Sequence, residues 1–258
     1  MYKIYFQKIV FYSNFKNLNS LNKLLLFHGL GCDALNYKKV FRNNFGKVQI
    51  LIPVIPGHSN TLIAGQGDPL LNFAKQIFIF LKKNKIQEFS VYTHSMGNII
   101  SALLSRFFLK KKNQLLINNE GNILASDASM VTRKTVSFSK DHFVDFGFAK
   151  LLERCKNSDS IVVKLWAKSL RNISAINFYK YAISVVYWSD KNLILHWINT
   201  FFKKKVYLYG ELSGNVDVLC RLKGHRIIVF SATGHFAHFE KKNDLSMIIL
   251  NEIKKRKK

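Results

Sequence analysis

Ser95 stands in the segment FSVYTHSMGNII, residues 89–100, where an apolar strand runs through Thr93-His94-Ser95-Met96-Gly97 straight into a helix. A serine on so tight a strand-to-helix turn is held in strained φ/ψ, with its hydroxyl exposed above the sheet edge. The helix start sets partial positive charge and free N–H groups beside it. That combination suits nucleophilic attack with a developing anion held close by. Residues two before and two after the serine must be small, because the flanking backbones pass near one another. Gly97 meets this need, whereas Thr93 is bulkier than the glycine usual at its place. The plainer alternative is a serine that only caps the helix.

The elements around this turn alternate. Tyr2 to Tyr12 is aromatic and β-branched and predicts an opening strand. Lys23 to Phe27, Val48 to Ile55, Phe89 to Tyr92 and Leu115 to Asn118 predict further strands. Between them, Pro69 to Asn84 carries Leu70, Leu71, Phe73, Ala74, Ile77, Phe78, Phe80 and Leu81 at helical spacing, and Gly97 to Leu109 predicts a second helix. Such a βαβ series implies a largely parallel sheet covered by helices on both faces. Residues 123–202 then read as helical, most clearly over Lys164 to Ser169, Ala175 to Trp188 and Asn192 to Phe201. Strands return at Val206 to Tyr209 and Arg226 to Phe230, and Leu245 to Ile253 predicts a closing helix. The expected organisation is one α/β core, residues 1–122 and 203–258, with a helical cap inserted at 123–202 after the sixth strand.

Composition narrows the function classes. With 258 residues and 48% hydrophobic content, the chain can bury a full-sized core. Cys32, Cys155 and Cys220 are too few and scattered for a disulfide framework or a zinc ribbon, and read as reduced structural thiols. Forty Lys+Arg against 15 Asp+Glu give +25. A selected basic face or compositional drift both account for it, since Lys, Asn, Ile and Phe are all heavily used. The basic end, Lys254 to Lys258, reads as a solvated tail. Lys3 and Lys8 interrupt the apolar residues of the first segment, so it does not read as a secretory signal. No run reaches the roughly 18 apolar residues of a membrane span. A cytoplasmic protein is expected.

Four motifs in order give the chain a resemblance to the α/β-hydrolase superfamily: His28-Gly29-Leu30-Gly31, Pro56-Gly57-His58-Ser59, Thr93 to Gly97, and Gly234-His235-Phe236 before the last helix. The resemblance covers essentially the whole chain. It implies Ser95 as nucleophile and His235, on the loop after the last strand, as general base. It also implies an oxyanion hole from the backbone N–H groups of Leu30 and Met96. The acid departs from the pattern. Ser213 occupies the slot where the superfamily usually carries aspartate. Glu120, Glu211 and Asp217 are the possible replacements. Glu120 is preferred, because some members, the haloalkane dehalogenases among them, carry their acid at the end of the strand after the nucleophile helix. Glu211 remains the alternative, and Asp127 reads as an N-terminal helix residue of the cap.

The resemblance implies ester or thioester hydrolysis through an acyl-enzyme, with no cofactor and no metal. His28 and Gly29 would line the substrate site, with Trp166 and Trp188 from an aromatic cap suited to an apolar acyl or aryl group. The basic charge raises acyl carrier protein as a partner that delivers the substrate, in distant similarity to carrier-protein methyl ester esterases. Nucleic acid is not expected as a partner, for want of a recognition motif. The other function class is a decayed hydrolase fold that binds without catalysis, to which Thr93 and Ser213 would both point.

Overall fold

The computed structural model of the protein describes residues 1–18, 22–42, 45–46, 48–61, 66–109 and 113–255. The basic run at 110–112 and the end of the basic tail, 256–258, lie outside the described residues.

Eight strands form one sheet in the order β1-β2-β4-β3-β5-β6-β7-β8. They are β1 (Tyr2–Phe6), β2 (Ile9–Ser13), β3 (Asn22–Phe27), β4 (Val48–Pro53), β5 (Phe89–His94), β6 (Asn113–Asn119), β7 (Phe202–Gly210) and β8 (Arg226–Phe230). β1 and β2 are an antiparallel hairpin where the sequence predicts a single strand. Its two-residue turn is Gln7-Lys8, with Gln7 at φ +52°, so it lacks the glycine or asparagine that usually marks such a turn. β2 also lies antiparallel to β4, and the pairs from β4 through β8 are parallel.

Alternation along β3 divides the core in two. Leu25 and Phe27 join the layer with Phe11, Phe73, Ile77 and Ile100. Leu24 and Leu26 join the layer with Tyr37, Ile52, Tyr92, Leu208 and Ile249. Both faces of the parallel sheet are thus covered, which is why its strands read as continuous apolar runs. Helix α1 (Pro69–Lys83) begins as its sequence predicts: Pro69 opens it and Asp68 caps it, accepting from Leu71 N at 2.7 Å. Its buried face is Leu70, Phe73, Ala74, Ile77, Phe80 and Leu81. Helix α2 (Gly97–Leu103) follows β5 and continues as a wider turn over Leu104–Leu109.

Every element between β6 and β7 is helical. The longer helices are Phe148–Lys156, Ile161–Leu170, Ala175–Asp190 and Ile194–Phe201. Buried polar contacts dock this segment on the core: Tyr181 Oη donates to Pro56 O at 2.6 Å, and Ser184 Oγ to the α1 cap Asp68 at 2.6 Å. Among the described residues, no helix is long and apolar enough to cross a membrane.

β3 is followed to one side by β4 and to the other by β5, so the strand order reverses between β3 and β5. Ligand sites of open α/β sheets gather at the carboxyl ends of strands at such a point. The chain leaves β3 into His28-Gly29-Leu30 there, and leaves β5 into Ser95.

Candidate active site

Ser95 and Met96 make the step between β5 and α2, Ser95 with φ +52°. A non-glycine residue holds that left-handed conformation only where its surroundings enforce it. Here its N–H donates to Asn119 O at 3.2 Å, and its C=O accepts from Asn98 N and Asn122 N at 3.0 and 3.3 Å. At Gly97, a Cβ would lie 2.2 Å from Phe27 O, so β3 leaves room for nothing larger. Thr93 fits because its neighbours absorb it. Its side chain is fully buried, and its hydroxyl lies 3.3 Å from Asn118 Oδ1 and 3.4 Å from Asn98 Oδ1. The tight approach falls at Gly121 instead, where a Cβ would meet Asn98 Cβ and Asn118 Oδ1 at 2.3 Å each.

Glu120 follows β6 at φ +43°, and its carboxylate gathers three donors. Oε1 accepts from Gly210 N at 2.5 Å and Ser213 Oγ at 2.7 Å; Oε2 lies 2.8 Å from the same hydroxyl and 2.9 Å from His235 Nδ1. The Glu120 side chain is 7% exposed and that of His235 39%, so an enclosed carboxylate faces an accessible imidazole. With Nδ1–H donated to Glu120, Nε2 keeps the lone pair that a general base needs. The loop carrying His235 is pressed against β7: a Cβ at Gly210 would lie 2.4 Å from Gly234 O. Leu212 N donates to Thr233 O at 2.9 Å across the same seam. His94 reaches the loop from the elbow side, with Nε2 3.0 Å from His235 O.

The other acids stand elsewhere. Glu211 is exposed and accepts from Ala232 N at 2.9 Å, holding the loop that leads to His235. Asp217 is exposed in the first turn of Asp217–Arg221. Asp127 accepts from Ile123 N, Leu124 N and Asn215 Nδ2, joining the start of the helical segment to the loop after β7. Burial raises its pKa, and those hydrogen bonds oppose the rise.

The loop after β3 runs against the elbow. A Cβ at Gly29 would lie 3.0 Å from Ser95 Cβ. Gly31, at φ +69°, donates its N–H to His58 Nε2 at 3.2 Å. His28 is enclosed beneath this loop, its Nδ1 bonded to Gly29 O at 3.0 Å, so it shapes the loop. Burial, then the neighbouring His28, holds the His58 pKa well below 6.5. Met96 is buried at the start of α2, where backbone N–H groups have no partner within the helix.

No protein-family model matches the sequence, and no curated protein matches it. Solved structures do. A carboxylesterase structure of the thaumarchaeon Nitrososphaera gargenis superposes with TM-score 0.78 at 14% identity, over 99% of this chain and 98% of that one. MenH from S. aureus gives 0.77 at 14% identity, over 98% and 100%. A thermophilic esterase from Thermogutta terrifontis gives 0.70 at 14%, over 96% and 93%. The chain has the α/β-hydrolase fold.

Within this α/β-hydrolase fold the helical segment touches the site through Trp166. Its Nε1–H donates to Leu30 O at 3.1 Å, and its ring lies 5.9 Å from that of Phe236, next to His235. Trp188 takes a different place, packing against Phe107, Tyr187 and Trp197. The structure therefore brings Gly29 and Trp166 to the elbow and its facing loop, with His28 below and Trp188 in the packing of the helical segment. Sequence reasoning passed over Ser213 as a donor to Glu120, and over His94 and Asn118. The only signal for Ser213 was its place in the slot of the usual acid.

Proposed function

We propose that the protein is a serine hydrolase that cleaves a carboxylic ester through an acyl-enzyme on Ser95. The observation that carries this reading is the Glu120–His235 hydrogen bond at 2.9 Å, together with a serine held at φ +52° on the strand-to-helix elbow. His235 Nε2 takes the Ser95 proton as Oγ attacks the ester carbonyl. The N–H groups of Leu30 and Met96 hold the oxyanion. His235 then gives the proton to the leaving alkoxide, and the C–O bond breaks. Water, deprotonated by the same imidazole, releases the acid and restores Ser95. The Glu120 carboxylate accepts from His235 Nδ1–H and stabilises the imidazolium. A thioester would follow the same steps with a thiolate leaving.

The fold neighbours include a carboxylesterase and an esterase, which supports ester chemistry in general. Ser213 supports an intact site over a decayed one, since it fills the missing aspartate's place with a donor to Glu120. Trp166 and Phe236 beside the loop favour an apolar acyl or aryl group.

Intact mass after exposure to a fluorophosphonate tests the reading. One adduct is expected on the native chain and none on Ser95→Ala. A well-folded native chain without adduct would leave a binding protein as the better account.

Delivery by an acidic carrier protein is a second, narrower reading. Lys134, Lys150 and Arg154 line, with Phe138, Phe143 and Leu151, a cleft of about 220 Å³ in the helical segment. Salt should then slow turnover of a carrier-bound acyl group and spare a free ester. Equal salt responses would remove the carrier and leave the hydrolase.

A further inference from the structure

Behind the elbow, Cys32 Sγ and one ring nitrogen each of His94 and His238 lie within 4.8 Å of one another. All three side chains are at least 98% buried. Neither nitrogen of His238, nor Nδ1 of His94, has a hydrogen-bond partner among the described residues. Folded proteins rarely leave buried polar atoms unpaired, and each exception calls for an explanation.

The surroundings prepare these atoms as ligands. His94 Nε2–H donates to the backbone carbonyl of His235, which leaves the lone pair on the unpartnered Nδ1. Metal-binding imidazoles are oriented by such a bond from the other nitrogen. The absence of a side chain at Gly29 keeps space beside the same atom, since a Cβ there would lie 2.9 Å from it. Tyr37 stacks on the His238 ring at 4.5 Å and fixes its plane.

We propose that Cys32, His94 and His238 form a three-ligand site for a borderline-soft divalent ion of the Zn2+ class. One thiolate and two imidazoles suit such an ion, with a fourth position for water. Ligand atoms around zinc stand about 3.3–3.8 Å apart for bonds of ~2.0–2.3 Å, so side-chain shifts of about 1 Å close the set. Binding forms the S–metal bond and releases the Cys32 thiol proton to solvent.

The three ligands come from the three segments that carry the proposed chemistry. Cys32 lies two residues after Leu30, His94 immediately before Ser95, and His238 three residues after His235. One ion would pin the oxyanion loop, the elbow and the base loop to each other.

Cobalt titration of the purified chain tests this, in a Cys220→Ala background because Cys220 is an exposed thiol. One equivalent of Co2+ should bind with tetrahedral ligand-field bands and a thiolate charge-transfer band. Cys32→Ala should abolish the charge-transfer band, and His238→Gln should weaken binding at least tenfold. Zn2+ at a hundredfold over its Kd should raise Tm by about 5–10 °C. No Co2+ spectrum on the background chain, or a charge-transfer band that survives Cys32→Ala, would overturn the proposal. If the ligand variants fail to fold, zinc-edge X-ray absorption of the background chain decides. One sulfur and two imidazole nitrogens support the site, and a shell without sulfur overturns it. These readouts need no turnover, so the hydrolase reading and this one fail separately.

Discussion

Ser213 donates its hydroxyl to Glu120 Oε1 at 2.7 Å, from the position on the loop after β7 where the α/β-hydrolase pattern has its acid. In the proposed site the acid stands just beyond β6, and Ser213 holds it by that hydrogen bond. Glu120→Gln keeps the shape but turns the wrong group toward His235 Nδ1. It should lower kcat on a free ester by about 10³–10⁴-fold with little change in KM. Ser213→Ala should cost about 1–3 kcal/mol of stability, read by urea unfolding, because a charged acceptor loses a donor. Glu120→Ala combined with Ser213→Asp should recover at least tenfold over Glu120→Ala alone. No recovery would mean that the two positions are not interchangeable.

Ser95 carries backbone strain that the proposed catalysis uses and folding does not need. Ser95→Gly relieves the φ of +52° and should raise stability by about 1 kcal/mol or less, while fluorophosphonate labelling disappears. A thermal melt of the variant below that of the native chain would show that the serine side chain contributes more than its backbone costs.

Acid should weaken the fold through His58. Its folded pKa lies well below 6.5, so the unfolded chain binds the extra proton first as pH falls. The contribution is fully present above pH 6.5 and is lost as pH drops toward the folded value. One imidazole kept neutral in this way costs about 2 kcal/mol by pH 5. Protonation also removes the Nε2 acceptor of Gly31 N–H. Urea midpoints between pH 5 and 7.5 should fall with acid in the native chain and less steeply in His58→Gln. Equal slopes would remove His58 as the source.

Trp166 couples the helical segment to the loop that carries Leu30. Trp166→Phe keeps most of the packing and deletes the Nε1–H bond to Leu30 O. An unpaired buried carbonyl costs about 1–3 kcal/mol, and a misplaced oxyanion loop should lower kcat by about tenfold. Unchanged kcat with unchanged stability would show that the tryptophan only fills space.

Much of this was legible in the chain. The strands from Lys23 to Tyr92 and helix α1 could be read because parallel strands buried on two faces and a one-sided helix leave different apolar periods. The serine turn was legible because its sterics are local: Gly97 has to be small against Phe27. The hairpin at Gln7 was not, since the left-handed turn residue is neither glycine nor asparagine. Glu120 could only be preferred, because its partner His235 lies 115 residues away and nothing near either residue records the pairing. The Cys32, His94 and His238 grouping left no trace for the same reason: a loop, a strand end and a short helix bring it together from separate parts of the chain.

The backbone of Ser95 is tied to β6 and its exit by Ser95 N to Asn119 O and Asn122 N to Ser95 O. Glu120 follows Asn119 directly, and its own N–H reaches Leu208 O in β7 at 3.1 Å. The proposed nucleophile and acid therefore share one hydrogen-bonded backbone frame, whereas the stretch from Ser231 to Phe236 is joined to it largely through the side chains of Glu120, His94 and Glu211. Rearrangement of the proposed trio on a microsecond-to-millisecond scale would appear as exchange broadening along that stretch, with the amides of Ser95 and Glu120 remaining sharp.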